Sequence, residues 1–435
     1  MGVVLFLSMM AAQAGIGPCS ILGQSADKSH SRGLFLSDRV PDKPSIPPSS
    51  AIPVDPLGFS APGPIYLGSR NAMASLDFLD EKRLLFTFRI PGLLHREPGE
   101  EKADDERQIR AVVLSAESGT VETEALWTVH DRVRYLWMLK DGHFLLRDRD
   151  GLEEGDASLV IKPLLKFPGP LMWVEMDPQQ QFLVTNSREP VGTPERAGDV
   201  GSPASANANV TEETQDSKTK PDLVVRILRR DSGKVMLVSR ARGAVHLPIN
   251  SEGYLERLRG NGQQWTVNFN YFAGGSKVIG RVDSVCSPTF DFIAQREVLI
   301  TACTASGASR LEAMNLDGKR LWEDQTASTA IWPLMVVAPN GSRVAHETLS
   351  VSHSVNAYAP LDADDIKGQL VQVLNASDGK VALETFAKPP LDAGGNVAIS
   401  PSGRRVAVLN GGVIQVFDLP EAPGPVESEA AGAKH

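Results

Sequence analysis

Residues Ala398–Pro420 read AISPSGRRVAVLNGGVIQVFDLP. A short apolar run meets a turn at Pro401-Ser402-Gly403, and the β-rich stretch RRVAVL follows. Gly411-Gly412 then leads into Val413–Phe417. Proline and glycine between short apolar runs mark β-hairpins, because they supply the dihedrals that tight turns demand.

The same signal recurs upstream, seven times in all. Its opening strands are Leu76–Leu79, Tyr135–Leu139, Met172–Met176, Tyr254–Leu258, Phe290–Ile293, Leu334–Val337 and Val397–Ile399. A second signal, a strand ending in a DG or SG turn, recurs at Gly119, Gly233, Gly318 and Gly379. These fall after the first, third, fifth and sixth openings, the order that a four-stranded unit requires. Setting aside loops 96–107 and 192–220, the body from Ala74 to Pro420 gives about 44 residues per unit, a propeller-blade period. The spacing predicts an all-β fold: a seven-bladed β-propeller of four-stranded antiparallel blades over residues 64–420.

The last unit supplies only three strands before the chain turns to Ala, Gly, Glu and Pro. An incomplete blade leaves an open edge of unpaired backbone groups. The expected remedy is an N-terminal strand, Pro64-Ile65-Tyr66-Leu67-Gly68, paired with Val413–Phe417 to close the ring.

Ser400-Pro401-Ser402-Gly403 ahead of an apolar strand, with Phe417-Asp418 closing the next, resembles a WD40-like blade. VVAPNGSRVAHE at 336–347 is similar, and the DGK turns also resemble quinoprotein-like and YVTN-type bacterial propellers. No Trp-Asp dipeptide occurs and no regular Gly-His precedes the units, so the resemblance extends to the architecture and not to the WD40 side-chain network. As a whole the chain resembles exported bacterial propeller proteins.

Export is also expected from the N-terminus. Val3–Ala12 is an apolar run followed by Ala12-Gln13-Ala14, a small-x-small cleavage pattern, so residues 1–14 read as a signal peptide. No Lys or Arg precedes the run, and Pro18 ahead of Cys19 is unfavourable for lipidation. Residues 15–63 carry many prolines and read as a disordered linker, unable to form a central strand. The loop at 192–220 and the tail at 421–435 also read as disordered, since they have few large apolar residues to offset ordering entropy. These two stretches and Arg96–Arg107 together hold −7 of the formal charge of −9, so the folded body is nearly neutral. No basic cluster marks a nucleic-acid face. No apolar run reaches the roughly 18–20 residues of a spanning helix.

Of three cysteines, Cys286 and Cys303 are expected to form a disulfide across the Ala294-Gln295 turn. Counting outward pairs 293 with 296, 290 with 299 and 286 with 303, and an exported protein meets an oxidising compartment.

The sequence carries none of the common catalytic fingerprints. GxSxG, the P-loop and the dinucleotide glycine motif are absent. Asp148-Arg149-Asp150-Gly151 lacks the flanking acids of a calcium loop. His346 and Glu347 are neighbours on a strand and point to opposite faces. The six tryptophans read as core between blades. The one stretch that stands out as a binding loop is Ser352–Gly368, with His353, Tyr358, Asp362, Asp364 and Asp365. The expected function is therefore a monomeric, cofactor-free binding or scaffolding module for a protein or peptide partner, in the periplasm or outside the cell. Two other classes stay open at this point: a channel enzyme (hydrolase or quinone-dependent dehydrogenase) and an envelope assembly factor.

Overall fold

The computed structural model describes residues 34–35, 39–60, 74–90, 106–130, 134–189, 223–241, 243, 245–354, 362–391 and 394–423. Seven sheets follow one another around a ring, making a seven-bladed propeller. Blade one covers 74–129, two 136–166, three 171–241, four 253–283, five 289–325, six 330–387 and seven 397–418. The first strands of neighbouring blades touch: Ala74–Phe78 meets both Val397–Ile399 and Leu136–Met138. They therefore lie nearest the axis.

Burial explains the sequence pattern. A second strand such as Arg83–Arg89 (RLLFTFR) has blades against both faces, and its five middle residues are all buried. It reads as a continuous apolar run for that reason. An outer strand such as Val121–Val129 is mostly exposed and carries charge. The core is a set of apolar seams between blades, for example Val344, Leu374 and Trp322 between blades five and six.

Blade four departs from expectation. Gly253–Arg259, expected to be its first strand, follows the turn at Asn250, whose carboxamide oxygen accepts from the Glu252 and Gly253 amides at 2.8 and 2.9 Å. The first–second turn of blade one is made the same way, with Asp80 Oδ1 accepting from Lys82 and Arg83. Gly253–Arg259 is thus a second strand. The innermost place belongs to the irregular segment 245–250, joined through an Ile249–Tyr254 bridge and a Leu255 N–H to Pro248 carbonyl bond of 2.9 Å. Pro248 cannot donate, so no regular ladder forms there.

An N-terminal strand does close blade seven, but it is Ser50–Pro53 and not 64–68. Ser50 pairs with Val416, Ala51 with Gln415, Ile52 with Ile414 and Pro53 with Val413. The edge that 64–68 was expected to cover is thereby taken; 64–68 itself lies outside the described residues. Proline is tolerated here because an edge strand needs donors on one side only.

The proline-rich stretch is accordingly a strap and not a free linker over residues 39–60. Leu34–Phe35 adds in parallel to the outer strand of blade five. Ser45 donates its amide to the Glu384 carbonyl of blade six at 2.8 Å and accepts the Glu384 amide at 2.9 Å. Beyond blade seven, Ile52, Val54 and Phe59 are buried with blade one. Phe59 packs edge-on against Phe86 and Phe88 at 5.4 and 5.5 Å. Gly119, at φ 70°, lies under Ile52, where a Cβ would come within 2.8 Å of its side chain. The seam between blades seven and one is pinned by Glu81, which accepts from the Ser402 amide at 2.6 Å and its hydroxyl at 2.8 Å.

Cys286 and Cys303 are bonded, with Cα atoms 5.5 Å apart. The strand register differs by one from the outward count: Asp291 faces Leu299 and Phe290 faces Ile300, with a shift between Phe292 and Ala294. Cys286 lies beyond the strand Thr289–Ala294, in the connection from blade four. The bond thus ties that crossover to blade five's second strand. Residues 1–14, the loop 192–220 and most of the tail 421–435 lie outside the described residues.

Candidate functional site: the axial channel

The first strands line the central channel. Two of their tryptophans are exposed, Trp173 of blade three at 43% and Trp332 of blade six at 38%, and Met172 beside the first is exposed too. Each tryptophan stands where its ladder breaks. The register shifts between Leu171 and Trp173, and again between Ile331 and Leu334. At the second break Pro333 removes a donor and Trp332 adopts φ 51°, a left-handed conformation unfavourable for a bulky residue.

Below them, three acids stand at one level. Asp77 faces Leu85, Glu175 faces Val184 and Asp291 faces Leu299, in each case the third residue of the strand that begins at Arg83, Phe182 and Glu297. Trp173 faces Asn186, and Trp332 lies beside Leu334, which faces Glu347. Both indoles are thus further from the first–second turn than the acids.

His246, on the irregular segment of blade four, fills the gap between blades three and five. Its Nδ1 is 2.6 Å from Glu175 Oε1 and its Nε2 is 2.8 Å from the Phe290 carbonyl. A carboxylate and a carbonyl can only accept, so both ring nitrogens carry protons and the ring is an imidazolium. Burial opposes that charge, but Glu175, Asp291 and the Phe290 carbonyl outweigh it and push the pKa up to about 9. The Trp173 indole also donates to Glu175 Oε1.

Two acids remain under-compensated. Burial raises the pKa of Asp291, with His246 pulling it down and Glu175 raising it further. Burial pushes Asp77 up to about 6, against a 2.5 Å bond from the Ser75 hydroxyl and the charge of Arg134. Arg134 itself lies 5.5 Å from the Trp137 ring.

The loop expected to bind is only partly gathered. His353, Asp362 and Asp364 are exposed. The His353 ring is 3.6 Å from Asp365, and Ser352 Oγ reaches both, at 3.0 and 3.3 Å. Tyr358 lies outside the described residues. A cavity of about 530 Å³ beside this loop separates the strap residues Arg39–Asp42 from Ser350, Val351 and Lys367. His346 and Glu347 are both buried, on opposite faces of the strand Arg343–Val351, beside Gln372 and Val371 respectively. Asp148 holds the His130 amide at 2.8 Å and Asp150 holds Lys166 at 2.6 Å, so both acids serve local contacts. Among the described residues no three His, Cys, Asp or Glu side chains converge as a metal site.

Trp127, Trp137, Trp265 and Trp322 are core, as expected; Trp173 and Trp332 are not. Sequence reasoning alone does not single out the channel acids or His246. The available signal was an acid inside an apolar first strand: LDF, VEM and FDF.

No protein-family model matches the sequence, and no curated protein matches it. Solved structures do show similarity. Acylaminoacyl peptidase from Pyrococcus horikoshii is 10% identical, with a TM-score of 0.43 over 78% of this chain and 49% of that one. TolB from Acinetobacter baumannii is 11% identical, at 0.36 over 72% and 77%. A eukaryotic initiation factor is 12% identical, at 0.34 over 75% and 80%. The chain spans about half the length of the peptidase. No functional residue is carried over from any of them.

Proposed function

We propose that this propeller is an exported recognition module that takes part of a protein or peptide partner into its axial channel. The observation that carries the reading is the exposure of Trp173 and Trp332 on innermost strands, each at a break in its ladder. Exposed aromatics at the mouth of a rigid concavity favour a ligand, because each offers a large contact area at small entropic cost. The apolar run Val3–Ala12 and the Ala12-Gln13-Ala14 pattern support export. Recognition is favoured over hydrolysis by the state of His246. Both its nitrogens are donors, which leaves no lone pair for a general base.

Selection from a displayed library of random peptides tests this. Purified protein should enrich peptides, and Trp173→Ala and Trp332→Ala should abolish the enrichment while their melting temperatures stay unchanged. Enrichment that survives both substitutions, or turnover of reporter peptides by the wild type, overturns the reading.

A further inference from the structure

We propose that the channel recognises a cationic side chain, lysine or arginine, presented by the partner, with Trp173 and Trp332 bounding it and Asp291 as the principal counter-charge. The inference rests on the recognition reading above and names the chemistry of that same site.

Two observations meet here. The first is aromatic: indole faces attract cations, and these two are exposed on strands that line the channel. The second is electrostatic, and its signs can be counted. Among the described residues of the first strands and the segments that lead into them, the acids at this level are Asp77, Glu175 and Asp291, and His246 and Arg134 act on them. His246 is committed to Glu175 at 2.6 Å. Arg134 is the cation whose charge acts on Asp77. Asp77 accepts from the Ser75 hydroxyl and Glu175 is held by His246 and Trp173, whereas Asp291, half-buried at the same level, has no hydrogen-bond or ion-pair partner among the described residues. Its ionised form is strained by burial, and an arriving ammonium or guanidinium relieves that strain, so binding and charge neutralisation reinforce one another. An anion would meet the opposite balance. His246 already shows that this level of the channel stabilises an organic cation between carboxylates and a backbone carbonyl.

Sequencing the selected peptides separates the two claims. Enrichment of Lys and Arg at one position, lost with Trp173→Ala, is expected. A peptide so selected should bind about tenfold or more weakly when its cation is replaced by norleucine. Asp291→Asn, which keeps the shape and removes the charge, should weaken the cationic peptide by a similar factor and leave the norleucine peptide unchanged. Tryptophan-dependent enrichment without a basic position overturns the cation claim and leaves the recognition reading standing. Equal affinity of lysine and norleucine peptides, or of wild type and Asp291→Asn for the lysine peptide, also overturns it. Absence of any tryptophan-dependent enrichment overturns both.

Discussion

His246 Nδ1 sits 2.6 Å from Glu175 Oε1, joining the irregular inner segment of blade four to the first strand of blade three. The bond replaces part of what blade four lacks. With Pro248 in its innermost segment, no regular ladder can hold that segment in place, and a charged hydrogen bond across the seam does so instead.

This bond makes stability depend on pH. The folded pKa of His246 is raised to about 9 from 6.5. Its contribution is fully present below about 6.5 and is lost as pH rises through about 9. The full effect is on the order of 3 kcal/mol. His246→Gln should therefore be clearly less stable than wild type in urea at pH 6 and nearly equal to it at pH 10. A constant difference across that range would show that the ring acts through shape and not through charge.

Glu347 gives a second window. Burial pushes its carboxyl up to about 8, and Oε1 meets no hydrogen-bond partner among the described residues. Oε2 accepts from Gln369 Nε2 at 2.8 Å, and Gln369 Oε1 accepts in turn from Asn396 at 2.6 Å. The folded state binds this proton more tightly than the unfolded chain. Stability from it is full below about 4.5 and is lost as pH rises through about 8. Glu347→Gln keeps the acceptor for Gln369 and cannot ionise. It should be neutral at pH 4 and stabilising by on the order of 5 kcal/mol at pH 9. Chemical denaturation at the two pH values decides; a gain at pH 4 equal to that at pH 9 rules ionisation out as the cause.

The ring was legible because its turns are. Gly119, Gly233, Gly318 and Gly379 all take positive φ, and few residues other than glycine do so without strain. Blade four misleads for the same reason. Gly260-Asn261-Gly262 is a louder turn signal than Asn250-Ser251-Glu252, although the quieter turn is the one that opens the blade. The closing strand is hidden by its proline, which argues against a strand only where both edges must pair. The channel site was the least legible part. Asp77, Glu175 and Asp291 lie far apart in sequence, and only the ring brings their equal registers to one level.

The cysteine pair shows a correct contact reached through a wrong register. The outward count assumed a continuous ladder, whereas the chain shifts between Phe292 and Ala294. Cys286 lies past the strand, where the crossover brings it to Cys303. Titration of denatured, unreduced protein purified from an oxidising compartment should find no free thiol at positions 286 and 303. Cys286→Ser with Cys303→Ser should destabilise by about 3 kcal/mol, the chain-entropy cost for a loop of this size. Free thiols at both positions would refute the bond.

The strap carries the most consequential prediction. Ser50–Pro53 supplies the outer strand of blade seven, and Ile52, Val54 and Phe59 are buried against blade one and its neighbour. At about 1.5–3 kcal/mol per buried side chain, removing them costs roughly 5 kcal/mol or more. The loss also exposes the backbone of Val413–Asp418, an open edge that favours aggregation. A chain beginning at residue 39 keeps these contacts, and one beginning at residue 61 loses them all. The second should melt lower by on the order of 10 °C and be prone to aggregate. Should the shorter chain fail to fold at all, Ile52→Asp in the full-length protein gives the same test in milder form, because it places a charge between blades seven and one. Equal melting of the two truncations, together with a silent Ile52→Asp, would mean that the ring is closed by something other than this strand.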